Sequence, residues 1–271
     1  MKKQIAFIAL FSATALLTSC DLIRDWHGGT PAQPKLCAVK KITVAPGKVI
    51  EFTYNATGKI ASSTLSPALQ DGSKGLNSGT WTFQYDAAGR LDKVVGANGN
   101  SIDVTANADG HVTGAALSVA NVFVFSSTLA YDASKRITSF RYSINGGRTS
   151  TDTYTYTPSG NLTDITRLGA GPNNFSLKPT AYDNQTSLWN TSSANNIIYW
   201  WLVTVNNIQI NSALTALSYQ NNVTKYDYVP LSLVKEPYTV GYTYANAYPA
   251  TLSTQSASGG TVASAIEYIC K

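Results

Sequence analysis

The side chains able to do chemistry are few in this chain and thinly spread. Its two histidines are His27, in a Gly/Pro-rich segment, and His111, at a hairpin turn. The three cysteines, Cys20, Cys37 and Cys270, have no paired short spacing, so no metal centre is expected. A serine nucleophile needs a base within hydrogen-bond reach, and two isolated histidines supply little material for a Ser-His-Asp arrangement. Glycoside hydrolysis needs only two carboxylates. Beyond residue 36 the acids are Glu51, Asp71, Asp86, Asp92, Asp103, Asp109, Asp132, Asp152, Asp164, Asp183, Asp227, Glu236 and Glu267. Asp86, Asp109 and Asp132 fall in turns, the others are scattered over strands and hairpin ends, and nothing marks two of them as sharing a cleft. No cofactor is expected.

Aromatic side chains are stronger material for recognition. Trp81, Trp189, Trp200 and Trp201, with many of the 16 tyrosines, could offer flat platforms to a glycan or peptide. Aromatics at alternating strand positions more often form core, and that is the reading for Trp81. Trp200 and Trp201 lie in the apolar run Ile197-Ile198-Tyr199-Trp200-Trp201-Leu202-Val203, which fits a strand or a helix buried on both sides. As a strand it would point the two indoles to opposite faces and take one of them out of the core. Trp189, flanked by polar residues, is the best single candidate for an exposed contact.

The elements that must position these groups are β-hairpins. Trp81-Thr82-Phe83-Gln84-Tyr85 puts three aromatics on one face and Thr82 and Gln84 on the other, and the same alternation recurs at 140–144, 154–156 and 242–244. The turn that follows, Tyr85-Asp86-Ala87-Ala88-Gly89-Arg90-Leu91, has imperfect copies at 54–60, 106–112, 131–137 and 156–162. Its first Asp or Asn can accept hydrogen bonds from the turn amides. Gly58, Gly89, Gly110 and Gly160 are expected in the left-handed conformation that closes a type I turn plus bulge. Two copies depart from the pattern. Lys135 stands where glycine belongs, and Ala106 replaces the tyrosine of the third copy.

The ends of the chain carry a different kind of information. Met1-Lys2-Lys3, the apolar run Ile5 to Leu17 and Leu17-Thr18-Ser19-Cys20 have the order of a targeting segment too short to span a bilayer. The last four residues resemble the lipobox of bacterial lipoproteins. That resemblance implies cleavage before Cys20, acylation of Cys20 and attachment to the membrane through its lipid; Asp21 follows. Residues 1–19 would be the signal peptide and 20–36, with Gly28, Gly29, Pro31 and Pro34, a flexible tether. Trp26 and His27 in the tether have no evident partner. Residues 37–271 would form one domain. Only 13% of residues are charged, as in exported β-proteins, and the net charge of +5 falls to +3 without Lys2 and Lys3. No basic block is present, so no nucleic-acid partner is expected. In an oxidising compartment, a disulfide between Cys37 and Cys270 is the preferred reading and free buried thiols the alternative.

Tyr-Asp-x-x-Gly-Arg-Leu resembles the YD repeat of large bacterial cell-surface and toxin-shell proteins. With the lipobox it is similar to the short YD-repeat-like lipoproteins of Bacteroidetes-type bacteria, over about residues 38–269. Tyr182-Asp183-Asn184, Ser193-Ala194-Asn195-Asn196-Ile197, and Tyr242-Thr243-Tyr244 followed by Tyr248-Pro249 fit that group, although Thr186-Ser187-Leu188-Trp189 stands where proline-phenylalanine often follows the junction. The resemblance implies an all-β antiparallel meander of hairpins, a strongly curved sheet or partly open barrel, and no established activity. At most a short helix is expected near 187–198. The functional expectation is a lipid-anchored, non-enzymatic binding or structural module of the cell envelope, with the outer membrane favoured. The alternatives are a glycan- or peptide-binding module using 189–201 and a glycoside hydrolase.

Overall fold

A computed structural model describes residues 37–69, 78–96, 99–119, 122–144, 147–169, 174–190, 194–206, 217–230 and 234–270. The expectations for the leader, the tether, Cys20, Trp26, His27 and Asp71 lie outside the described residues. Those residues form β1 (Cys37–Ala45), β2 (Lys48–Tyr54), β3 (Ile60–Leu65), β4 (Gly79–Tyr85), β5 (Leu91–Val95), β6 (Ser101–Ala106), β7 (Val112–Val119) and β8 (Val122–Tyr131). The chain continues through β9 (Ile137–Ile144), β10 (Arg148–Tyr156), β11 (Leu162–Gly169), β12 (Phe175–Thr186), α1 (Asn195–Asn206), β13 (Asn221–Pro230), β14 (Glu236–Ala245), β15 (Tyr248–Ser256) and β16 (Thr261–Cys270). Every strand pairs antiparallel with its neighbours in sequence, and β16 returns to β1. The antiparallel meander expected from the sequence is present, and its curvature runs to full closure: the sheet is a closed barrel without edges. At the seam Cys37 faces Cys270, and the two are joined by the expected disulfide across a separation of 233 residues. A loop of that length puts the chain-entropy contribution at roughly 5 kcal/mol as an upper figure.

The turn chemistry read from the sequence is present in detail. In the 85–91 copy Gly89 N–H donates to the Asp86 carbonyl at 2.9 Å, while Asp86 Oδ1 accepts the Arg90 amide at 2.8 Å and Oδ2 its Nε at 2.7 Å. Asn55, Asn107 and Asp132 accept turn amides in the same way. Gly58, Gly89, Gly110 and Gly160 all have positive φ, and Lys135 adopts φ 64° in the glycine position.

Each return strand then bulges one residue after its first core residue. Ile60 faces Tyr54 but Ser62 faces Thr53, which leaves Ala61 as the extra residue; the same shift follows Leu91, Val112, Ile137 and Leu162. Val39, Val223 and Pro249 hold the equivalent place in β1, β13 and β15. A bulge interrupts the ladder, so the backbone groups beside it need another partner. Tyrosines from the following even-numbered strand supply it. Tyr54 donates its hydroxyl to the Val39 carbonyl at 2.5 Å, Tyr85 to Ile60 at 2.8 Å, Tyr131 to Val112 at 2.6 Å and Tyr156 to Ile137 at 2.7 Å. Tyr182 donates to Leu162, Tyr242 to Val223 at 3.0 Å and Tyr268 to Pro249 at 2.8 Å. Burial pushes the Tyr85 hydroxyl up to about 12, so it remains a donor through the ordinary pH range. These bonds ring one end of the barrel, which we call the tyrosine rim.

The polarity of the wall is inverted relative to a membrane-spanning barrel. Inward positions are Ile50 and Phe52 in β2, Trp81 and Phe83 in β4, Ile102 and Val104 in β6, and Leu252 and Thr254 in β15. Outward positions are Glu51 and Thr53, Thr82 and Gln84, Asp103 and Thr105, and Thr251, Ser253 and Gln255. Threonine and serine hydroxyls pair across the outer face, as between Thr64 and Thr80 at 3.0 Å and Thr243 and Thr251 at 2.7 Å. A barrel in lipid would show an apolar band outside and polar groups within.

The one short helix expected is α1, which overlaps the expected stretch at 195–198 and runs on to Asn206. Its residues Asn195–Asn206 are apolar on every side, a pattern that requires burial all round. The interior of a closed sheet of this width supplies that burial: about eight strands are the most that side chains alone can fill. Trp201 Nε1 donates to Ser63 Oγ of β3 at 2.8 Å, Trp200 Nε1 to Ser127 Oγ of β8 at 3.4 Å, and Tyr199 shares a 2.5 Å hydrogen bond with Tyr154 of β10. One turn of helix thus reaches three separated parts of the wall, which places it in the lumen.

Replacing Tyr85 by Phe removes one hydroxyl of the rim and leaves the Ile60 carbonyl short of a donor. Urea unfolding should show a loss of about 1–2 kcal/mol with an unchanged m value. An unchanged midpoint would mean that the hydroxyl is no better than water to that carbonyl.

Candidate functional site

The proposed contact tryptophans are core. Trp200 and Trp201 are 0% exposed and Trp189 is 4% exposed, so none of the three presents a platform to a glycan or peptide. The helical geometry removes the argument that placed one of the adjacent indoles outside. Trp201 packs edge-on against Trp81 at 5.6 Å and Phe83 at 5.3 Å, and Trp189 sits against Tyr199 at 5.1 Å. Trp189 looked exposed because its neighbours are polar, but Ser187 and Asn195 beside it are buried and bonded, and only Asn190 of its described polar neighbours faces solvent. Ser187 donates to the Ser218 carbonyl, and Asn195 donates its amide to the Trp189 carbonyl.

Most of the carboxylates among the described residues are likewise engaged. Asp152 of β10 is wholly buried and grips Arg167 of β11 at 2.6 and 2.7 Å in a two-pronged pair. Burial pushes the Asp152 carboxyl up, and the Arg167 fork opposes that shift. Arg167 also lies over Phe175 at 5.0 Å and Tyr142 at 5.4 Å, so the guanidinium is clamped between an anion and two rings. Asp164 accepts from Thr166 and Ser176. Asp183 accepts from the Asn222 amide and from Tyr244. Asp227 pairs with Lys235, Asp103 with Lys93, and Glu51 and Glu267 flank Lys41. His111 is half-buried beside the Tyr131 ring at 5.1 Å, rather than free at a turn tip.

A solvent-accessible concavity remains at the tyrosine rim, between the turns at 55–59, 86–90 and 107–111 and the start of α1. It measures about 230 Å³. Ile60, Leu91, Ala194 and Ile197 give it apolar lining, Tyr85 a ring, and Lys59 and Asp109 charge. Lys59 Nζ donates to the Gly89 carbonyl at 2.7 Å and lies 5.3 Å from the centre of the Tyr85 ring. Asp109 pairs with Lys135 at 3.0 Å. Asp109 is the one carboxylate among the described residues lining the cleft, where a glycosidase needs two. Sequence reasoning passed over this place because it comprises pieces of three turns and of a helix that periodicity could not assign.

Removing the partner of a buried charge is costly, whereas removing both charges is not. Asp152→Asn should therefore destabilise the barrel by about 3–5 kcal/mol, and the double change Asp152→Asn with Arg167→Met should recover most of that loss in chemical denaturation.

No protein-family model and no curated sequence matches the chain. Among solved structures it is similar to a porin-like protein from Bacteroides uniformis, with a TM-score of 0.55 and 14% identity over 88% of this chain and 99% of that one. A porin-like protein from Bacteroides vulgatus aligns with a TM-score of 0.53 and 11% identity over 85% and 98% of the two chains. At these identities the likeness is one of fold, and it spans nearly the whole of both relatives.

Proposed function

We propose that the chain is an exported lipoprotein in which acylated Cys20 holds a helix-filled barrel at the bacterial envelope, outer membrane favoured, as a non-enzymatic binding or structural module. The observation that carries this reading is the polarity of the wall: threonine, serine and charged residues outside, and a continuous apolar core with α1 inside. Such a barrel is stable in water and has no means of its own to enter lipid. Membrane attachment then falls to the lipobox cysteine, whose acyl chains suffice for stable anchoring without a transmembrane segment. The helix in the lumen argues against a pore. The engaged carboxylates favour a module without hydrolytic activity. On this reading the tether joins the barrel at Cys37 on the tyrosine rim, and the eight bulged hairpins are a closed form of the short YD-type repeat.

Cell fractionation tests the proposal. The wild-type chain should sediment with membranes, and Cys20→Ser should move it to the soluble fraction while it remains folded. A folded Cys20→Ser chain that stays in carbonate-washed membranes would show that the barrel wall itself meets lipid, and the reading would fail.

A further inference from the structure

The tyrosine rim has a gap, and the cleft opens at it. Every even-numbered strand carries a rim tyrosine at or near its end that donates to the preceding strand, except β6. There, Ile102 and Val104 point inward as expected, and the next inward position is Ala106. By the pattern of the seven other hairpins, a tyrosine at 106 would lean over β5 and donate to the carbonyl of Leu91. Leu91 lines the cleft, as do Asp109 and Gly110 from the turn that follows Ala106 and Gly89 from the turn that precedes Leu91. The cleft thus lies where the absent side chain would project. Its volume of about 230 Å³ exceeds that of a phenol ring, and the Ile197 side of α1 extends it toward the core.

We propose that this cleft binds a phenolic ring from outside the chain, which lies against Tyr85, Leu91 and Ile197 and donates its hydroxyl to the Leu91 carbonyl. The proposal gives a ligand class to the binding-module reading. It does not depend on the lipid anchor, so failure of one leaves the other standing. Seven copies of the same contact within the barrel define the geometry the ligand has to reproduce. A tyrosyl side chain of a peptide and a small free phenol share this chemistry.

The probe is p-cresol, titrated into the full chain carrying Cys20→Ser so that no acyl chain competes for it. Amide shifts should concentrate at Gly89 to Leu91, Asp109 and Gly110 and saturate with a Kd on the order of 1 mM. Toluene, which lacks the hydroxyl, should bind about ten-fold more weakly. Ala106→Tyr should abolish p-cresol binding and raise the urea midpoint by filling the cleft from within. N-acetyltyrosinamide binding with similar shifts would assign a tyrosyl peptide as the source, and p-cresol binding alone would assign a small phenol. Absence of binding at 10-fold above this Kd, equal affinity for toluene, or undiminished binding to Ala106→Tyr would overturn the proposal. Should Ala106→Tyr fail to fold, the shift map and the toluene comparison on the chain with Ala106 in place still decide it.

Discussion

A tyrosine hydroxyl meeting a main-chain carbonyl beside a β-bulge is the contact on which this barrel depends. Each bulge gives its strand an extra residue, bends it and strengthens its twist, and leaves backbone groups without a regular ladder partner. The inward tyrosine of the next hairpin covers that defect and joins hairpin to hairpin 15 to 25 residues apart in sequence. Since the bulges sit at one level of the wall, their bends accumulate in one direction. The sheet curls until β16 meets β1, and the Cys37–Cys270 disulfide fastens the seam.

Closure at this width creates the next requirement. Side chains from opposite walls cannot meet across so wide a lumen, so the protein inserts α1 and surrounds it with Trp81, Phe83 and Tyr154. Most of the large buried polar groups in that interior are paired locally: indole N–H groups with Ser63 and Ser127, Tyr199 with Tyr154, and Arg167 with Asp152, whereas the Thr204 and Thr254 hydroxyls are buried without a partner. With the apolar surface thus spent inside, the outer wall is left to threonine, serine and charge. The outer face of this sixteen-strand barrel is therefore polar.

Much of this was legible in the sequence where the cause is local. Asp86, Gly89 and their copies declare the turns because an Asx acceptor and a left-handed residue act within five positions, and even Lys135 keeps the glycine conformation. The cysteines at the two ends of the domain announced the seam. What eluded sequence reading depends on distant partners. The target of each tyrosine hydroxyl lies in another hairpin. β12 carries no clear period-two signal because Pro179 and several register shifts disturb its alternation. The run 197–203 is rich in β-branched and aromatic residues and becomes helix only because the lumen buries all its faces. Trp189 depends on distant partners too: Ser187 and Asn195 beside it bond within the core, to the Ser218 carbonyl and the Trp189 carbonyl. The candidate site was half visible, since the missing tyrosine at Ala106 could be seen but the space it leaves could not.

The barrel wall is polar outside, and Trp81, Trp189, Trp200 and Trp201 are sealed inside it with the helix. The most direct test is acrylamide quenching of tryptophan emission from the full chain carrying Cys20→Ser and Trp26→Phe, which leaves Trp81, Trp189, Trp200 and Trp201, in detergent-free buffer. Sealed indoles should give blue-shifted emission that resists quenching until the protein is unfolded. Red-shifted, readily quenched emission in the folded chain, or folding only in detergent, would contradict it.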